Sequence, residues 1–104
     1  LVPPDPETII RPFTPYYVMK IGKLQLIPYY PPGDPRIARD LGAFDGSRNA
    51  FLLQNHGPVV CGRSISEAVD LAEELEETAR LMLLMKDLPV RYLTDKEIEE
   101  LRAP

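Results

Sequence analysis

The sequence predicts a mixed α/β fold with a thin sheet, and three observations carry that expectation. Short runs rich in strand formers lie at Tyr16–Ile21, Leu24–Tyr30, Phe51–Gln54 and Val59–Cys61. Two capping boxes, Ser64-Ile65-Ser66-Glu67 and Thr94-Asp95-Lys96-Glu97, each place a hydroxyl three residues ahead of a glutamate and open stretches of helical period. So few strands make a narrow sheet, which reads as the edge of a larger one.

Taken in order, residues 1–15 are expected to form an extended connector. Nine of the 12 prolines precede residue 36, and each fixes φ, removes an N–H and discourages helix in its predecessor. Tyr16–Ile21 and Leu24–Tyr30, joined by Gly22-Lys23, are expected to pair as a hairpin. Gly33-Asp34-Pro35 signals a helix start, Asp34 as cap and Pro35 in the first turn, with a short helix over 35–43. Asp45-Gly46 is a turn. Phe51–Gln54 and Val59–Cys61 form a second hairpin around Asn55-His56-Gly57-Pro58, where Gly57 is free to take φ > 0 and Pro58 can open the returning strand. The helix from Ser64 is expected to reach about Lys86, with Ala68, Ala72, Leu75, Ala79 and Met82 as its apolar stripe and Leu81, Leu83, Leu84 and Met85 widening it late. Leu88-Pro89 ends it, and a last helix runs to about Arg102 with Ile98 and Leu101 facing inward.

Composition bounds the function. A length of 104 residues supports one domain or part of one, and 44% hydrophobic content supplies a modest core. A net charge of −4 without a basic run argues against nucleic acid or an anionic membrane as partner. One cysteine excludes an intrachain disulfide and fits the cytoplasm. No apolar run approaches the ~20 residues of a membrane span. The opening LVPPDPET, with no initial Met, leads us to expect a piece of a longer protein.

His56, the single histidine, is the first candidate for chemistry. In that turn it can serve as metal ligand, general base or hydrogen-bonded turn residue, and spacing alone favours the last. A catalytic zinc takes ~3 protein ligands, so this chain cannot build an all-histidine site by itself. Glu67, Asp70, Glu73, Glu74, Glu76 and Glu77 read as a solvated helix face, with Glu76 placed to pair with Arg80. Cys61, in an apolar strand, reads as a buried inert thiol. The tyrosines of the two PYY triplets, at 15–17 and 28–30, could form a binding platform, but more simply wedge loops onto the core with their hydroxyls wet.

The stretch LLQNHGPVVCGRSISEAVDLAEELEETARL resembles the class II aldolase and adducin family: an apolar strand, an N-H-G turn, an apolar strand closed by glycine, then a capped helix with spaced Ala and Glu. Upstream, TPYYVMKIGKLQLIPYYPPGDPRIA is similar to its 3-oxo-tetronate 4-phosphate decarboxylase branch. The resemblance implies that residues 1–104 are the C-terminal part of a single domain whose N-terminal half is missing. That domain would be a three-layer α/β/α sandwich around a mostly antiparallel sheet, assembled as a homotetramer. It implies zinc or another divalent cation held by three histidines, one matching His56 and two in an upstream His-x-His that this chain lacks. Asn55 is then a candidate to orient the ligand or a substrate oxygen. The implied chemistry is carbon-carbon cleavage of a phosphorylated sugar acid or ketose, with the metal stabilising an enediolate. In the tetronate branch that is decarboxylation of a 3-oxo-tetronate 4-phosphate to dihydroxyacetone phosphate. The intact parent would be the enzyme, and this portion alone inactive. The alternatives are a non-catalytic adducin-like interaction module, or a sugar-phosphate epimerase on the same scaffold.

Overall fold

A computed structural model of the chain describes residues 10–44 and 48–102. The expected turn at Asp45-Gly46 and most of the expected connector lie outside these residues. The connector's described end is tied down: Ile10 is buried in the core, and the Leu93 N–H donates to the Pro12 carbonyl at 3.0 Å.

The first expected strand is a helix, α1 (Pro15–Lys20). Thr14 caps it, its hydroxyl accepting from the Tyr17 N–H at 3.3 Å, and Pro15 occupies the first turn, where a missing N–H costs nothing. Tyr17, Val18 and Ile21 are buried while Tyr16 and Met19 are exposed. That is an i, i+1, i+4 pattern, which suits one helix face and no strand. Burial pushes the Tyr17 phenol up to about 12, with a small opposing pull from Arg102. Gly22, at φ 75°, closes the helix instead of turning a hairpin; its N–H and that of Ile21 both reach the Tyr17 carbonyl.

The second expected strand shortens to β1 (Gln25–Ile27), stopped by Pro28. The next helix, α2 (Pro35–Gly42), starts as expected on Asp34, whose carboxylate accepts from the Arg36 N–H at 2.9 Å. β2 (Ala50–Leu53) and β3 (Gly57–Val60) form the expected hairpin, in register Ala50↔Val60 to Leu53↔Gly57. β1 pairs with β2 in parallel, Gln25↔Phe51 to Ile27↔Leu53. The described sheet, ordered β1-β2-β3, is therefore mixed, not mostly antiparallel. The connection from β1 to β2 is a crossover that carries α2, long enough for the parallel pairing that a tight hairpin could not make.

β3 ends at Val60, so Cys61 lies beyond it and is exposed, contrary to the buried thiol expected. Gly62 follows, where a Cβ would stand 2.7 Å from the Ala68 backbone nitrogen. Only glycine permits that approach to the first turn of α3 (Ile65–Leu84). Ser64 caps α3 through the Glu67 N–H at 3.1 Å, but the Glu67 carboxylate takes the Arg63 N–H in place of the one on Ser64. The α3 stripe is rotated from the alanine line: Leu71, Leu75 and Thr78 are buried, Ala79 and Met82 pack against them, and Ala72 is exposed. Turning Leu71 inward hides more apolar surface than turning Ala72 would. Arg80 pairs with Glu77 at 3.1 Å, not with Glu76; i+3 and i+4 spacings serve such pairs equally. The final helix, α4 (Asp95–Arg102), has the complete reciprocal box: Glu97 N–H to Thr94 Oγ1 at 3.2 Å and Thr94 N–H to Glu97 Oε1 at 2.9 Å. Ile98 and Leu101 are half-buried as expected. The core joins Ile10, Tyr17, Ile21, Leu24, Ala50, Leu71 and Leu75, so α1 and α3 cover one side of the sheet.

Candidate metal-ligand site at the hairpin tip

His56 stands at the tip of the β2–β3 hairpin, exposed. Its N–H donates to the Leu53 carbonyl at 2.9 Å, which closes the turn. Asn55 takes φ 65° in that turn, a left-handed conformation that Asn tolerates better than most residues. Gly57 follows at φ 152°, and a Cβ there would meet no atom within 4 Å. Its constraint is the backbone angle, not crowding. Asn55 and Gly57 thus shape the mount, and the asparagine side chain is exposed beside the imidazole.

The parallel pairing brings a second segment to this tip. β1 and β2 end side by side at Ile27↔Leu53, and the Gln54 N–H continues the ladder to the Ile27 carbonyl at 3.0 Å. The chain leaving β1, Pro28-Tyr29-Tyr30, therefore runs beside the chain leaving β2. His56 Nε2 lies 2.8 Å from the Tyr30 carbonyl oxygen. A carbonyl only accepts, so Nε2 carries the proton and, in the neutral ring, Nδ1 holds the lone pair. The Tyr29 ring stacks on the imidazole, centroids 5.6 Å apart and planes 11° from parallel.

Tyr30 is itself anchored on α2. Its hydroxyl donates to Asp40 Oδ2 at 2.7 Å, and that bond raises the phenol above its ordinary value. The Arg36 guanidinium sits 4.4 Å from the Tyr30 ring centroid and pairs with Asp34 at 2.8 Å. The Arg36 hydrogen bonds hold Asp34 down at about 2. Of the residues at the tip, the sequence singled out His56 and Asn55. It gave no sign that Tyr29, Tyr30 and Asp40 would meet them, although the PYY triplet at 28–30 was visible as a possible platform.

Other candidates stay apart. No three His, Cys, Asp or Glu side chains among the described residues come together as a metal group. The imidazole fits the part of one ligand: it is exposed, and one ring nitrogen donates to a carbonyl, as metal-binding histidines commonly do. The tip is not a closed pocket either. His56 lines neither the cleft of about 620 Å³ beside Arg11, Tyr17, Lys23 and Arg102 nor that of about 800 Å³ along Pro58, Val60, Val69 and Glu73. No helix among the described residues is long and apolar enough to cross a membrane.

Fold and tip together define an α/β chain that presents one imidazole at the carboxyl ends of two parallel strands. The chain belongs to the class II aldolase and adducin family, matching the Class II Aldolase and Adducin N-terminal domain over residues 6–83. It is 58% identical over 99 residues to the 3-oxo-tetronate 4-phosphate decarboxylase of Escherichia coli K12, covering 95% of this chain and 47% of that protein. The Haemophilus influenzae protein of the same name is 53% identical over 97 residues, covering 93% and 46%. An L-fuculose phosphate aldolase from Methanococcus maripaludis is 33% identical over 75 residues, covering 72% and 41%. The crystal structure of YgbL from Escherichia coli superposes with a TM-score of 0.92 at 56% identity, covering 99% of this chain and 50% of that one. The chain thus spans about half the length of the relatives it matches.

Proposed function

We propose that this chain supplies one metal ligand, His56, to a divalent-metal-dependent sugar-phosphate lyase. The reaction we assign is decarboxylation of a 3-oxo-tetronate 4-phosphate to dihydroxyacetone phosphate. The observation that carries the reading is the imidazole at the hairpin tip, one ring nitrogen committed to a backbone carbonyl, in a chain 58% identical to a decarboxylase of that name. Zinc or a similar cation bound there would supply Lewis-acid polarisation of substrate oxygens. This chain's own contribution is to hold the imidazole: Asn55 and Gly57 shape the turn, and in this reading Asn55 orients the ligand or a substrate oxygen. The complete protein, in this reading, is a three-layer α/β/α sandwich with a mostly antiparallel sheet. It works in the cytoplasm as a homotetramer.

The test uses the intact encoded protein. Incubated with 3-oxo-tetronate 4-phosphate, it should release CO₂ and dihydroxyacetone phosphate, and a chelator should abolish both. His56→Ala should lose most of the bound metal and at least ~10²-fold in turnover, the loss expected when a directly coordinating group is removed. Full metal occupancy in His56→Ala would refute the ligand assignment. Turnover of a pentulose phosphate, with none of the oxo acid, would move the reaction to epimerisation.

A further inference from the structure

The other end of the sheet carries a separate concentration of charge. β1 and β2 run in parallel, so their starts lie together, at the far end of the strands from the hairpin tip. Three segments meet there: the end of α1, the residues leading into β2, and the end of α4. The Asn49 side-chain amide donates to the Lys20 carbonyl at 2.8 Å, and the Arg102 guanidinium donates to the Gly22 carbonyl at 3.0 Å. A cleft of about 470 Å³ lies among them, lined by Lys20, Lys23, Arg48 and Arg102 and by no carboxylate of the described residues. Four of the chain's 12 lysines and arginines thus converge on one cleft, in a chain of net charge −4. Carboxylates enter only in the neighbouring clefts, which Lys20 shares with the glutamates of α3, and Lys23 and Arg102 share with Asp95 and Glu99. Lys20, Lys23 and Arg102 are exposed and form no ion pair with a described carboxylate. Cations do suit the end of a helix, but a helix C-terminus carries roughly half a negative charge. Four cations exceed that several-fold, and gathering them costs energy that an anion would offset.

We propose that this cleft binds a small multivalent phosphate anion, at a site separate from the one His56 serves. The two hydrogen bonds that tie the segments together use neutral carbonyls, so they fix the frame without neutralising a cation. Arg102 spends one of its five N–H donors on Gly22 and keeps the rest for a ligand. Guanidinium and ammonium donors match the acceptor oxygens of a phosphate. The volume lies within the range of about 300–1,000 Å³ common for small-ligand clefts. Four cations in one cleft are too local to follow a nucleic-acid backbone. The inference depends neither on His56 as a metal ligand nor on the reaction assigned above.

The test titrates pyrophosphate into the intact encoded protein by calorimetry, near neutral pH and at low ionic strength. The wild type should bind it, and added NaCl should weaken the binding. Lys20→Gln/Lys23→Gln should lose at least ~10-fold in affinity and Arg102→Gln about 5-fold, the effect of removing unit charges close to a multivalent anion. Lys20→Arg/Lys23→Arg keeps the charge and should bind nearly as the wild type does. These side chains are exposed, so every variant should keep the wild-type urea midpoint. His56→Ala should leave this binding intact. A wild type that binds no pyrophosphate overturns the proposal, and so do Lys20→Gln/Lys23→Gln and Arg102→Gln variants that bind it unchanged. Binding lost in His56→Ala but kept in the lysine and arginine variants would place the anion at the hairpin tip; this inference would then fall while the proposed function stands.

Discussion

Helices α1 and α2 begin alike and do opposite work. Each opens on a polar cap followed by proline, Thr14-Pro15 and Asp34-Pro35, and each cap accepts a hydrogen bond from the first turn. α1 then drives Tyr17, Val18 and the following Ile21 into the core, with Tyr17 only 2% exposed. α2 fully buries nothing; its Ile37, Asp40 and Leu41 are half-buried. What α2 does hold is Tyr30, by way of Asp40 and Arg36, and through Tyr30 the imidazole of His56. The same start signal thus yields one helix that carries stability and one that carries the geometry of the candidate site. The difference lies downstream of the cap, in how deeply the apolar positions are covered: Tyr17, Val18 and Ile21 are buried, whereas Ile37 and Leu41 are only half-buried.

The strongest way to break this comparison is to cut into α1. Tyr17→Ala removes a fully buried ring and should cost about 3–5 kcal/mol, the range for deleting a buried aromatic side chain. On a small domain that is a large share of the total stability. The matched cut in α2, Ile37→Ala, should cost less than half as much, because Ile37 is only half-buried. Urea unfolding of the two variants beside the wild type checks this. Equal midpoints for the two would mean that α2 is as much a part of the core as α1.

A smaller effect sharpens the comparison at the caps. Thr14→Ala removes the acceptor for the Tyr17 N–H and should cost about 1 kcal/mol. That loss should appear in the global urea transition, because α1 is built into the core. Zinc affinity of the intact protein should be unchanged, since no contact links Thr14 to the hairpin tip. A Thr14→Ala variant that binds zinc more weakly at unchanged stability would show that α1 also organises the site.

Much of this was legible in the residues, and the gaps have identifiable causes. Asp34-Pro35, Ser64 with Glu67, and Thr94 with Glu97 are local signals, and each helix starts where it says. The N-H-G turn was likewise readable, because Asn and Gly mark positive φ. Thr14-Pro15 is the same kind of start as Asp34-Pro35 and went unread, because Tyr16, Tyr17, Val18 and Ile21 have strand propensity. Packing reversed that preference by burying 17, 18 and 21 together. The cost of that misreading was specific. A hairpin before β1 conceals the parallel pairing of β1 with β2, and the pairing is what brings Tyr29 and Tyr30 to His56. No local pattern announces a contact between residues 26 apart. On α3 the expected stripe holds at Leu75, Ala79 and Met82 but misses Leu71 and Thr78, and Cys61 is exposed where burial was expected; a small shift in helix phase or strand end changes which side chain is covered.

The smallest predicted effect separates the two caps by pH. Thr14 has no charge to lose, so the start of α1 is indifferent to acid. Asp34 ordinarily titrates at 3.8, and its hydrogen bonds with Arg36 bring it to about 2 in the folded chain. Because the folded value is the lower one, the unfolded chain binds the proton first as pH falls. The stabilisation is complete above about pH 4 and is lost as pH drops through about 2. Asp34→Asn keeps a good cap but cannot ionise. The wild type should therefore lose more stability than Asp34→Asn between pH 5 and pH 2.5 in urea titrations. Glu67, lowered by the Arg63 N–H and guanidinium, and Glu97, lowered by the Thr94 N–H and Arg91, titrate alike in the two proteins and cancel. Parallel losses would mean that the Asp34–Arg36 pair is too solvated to matter.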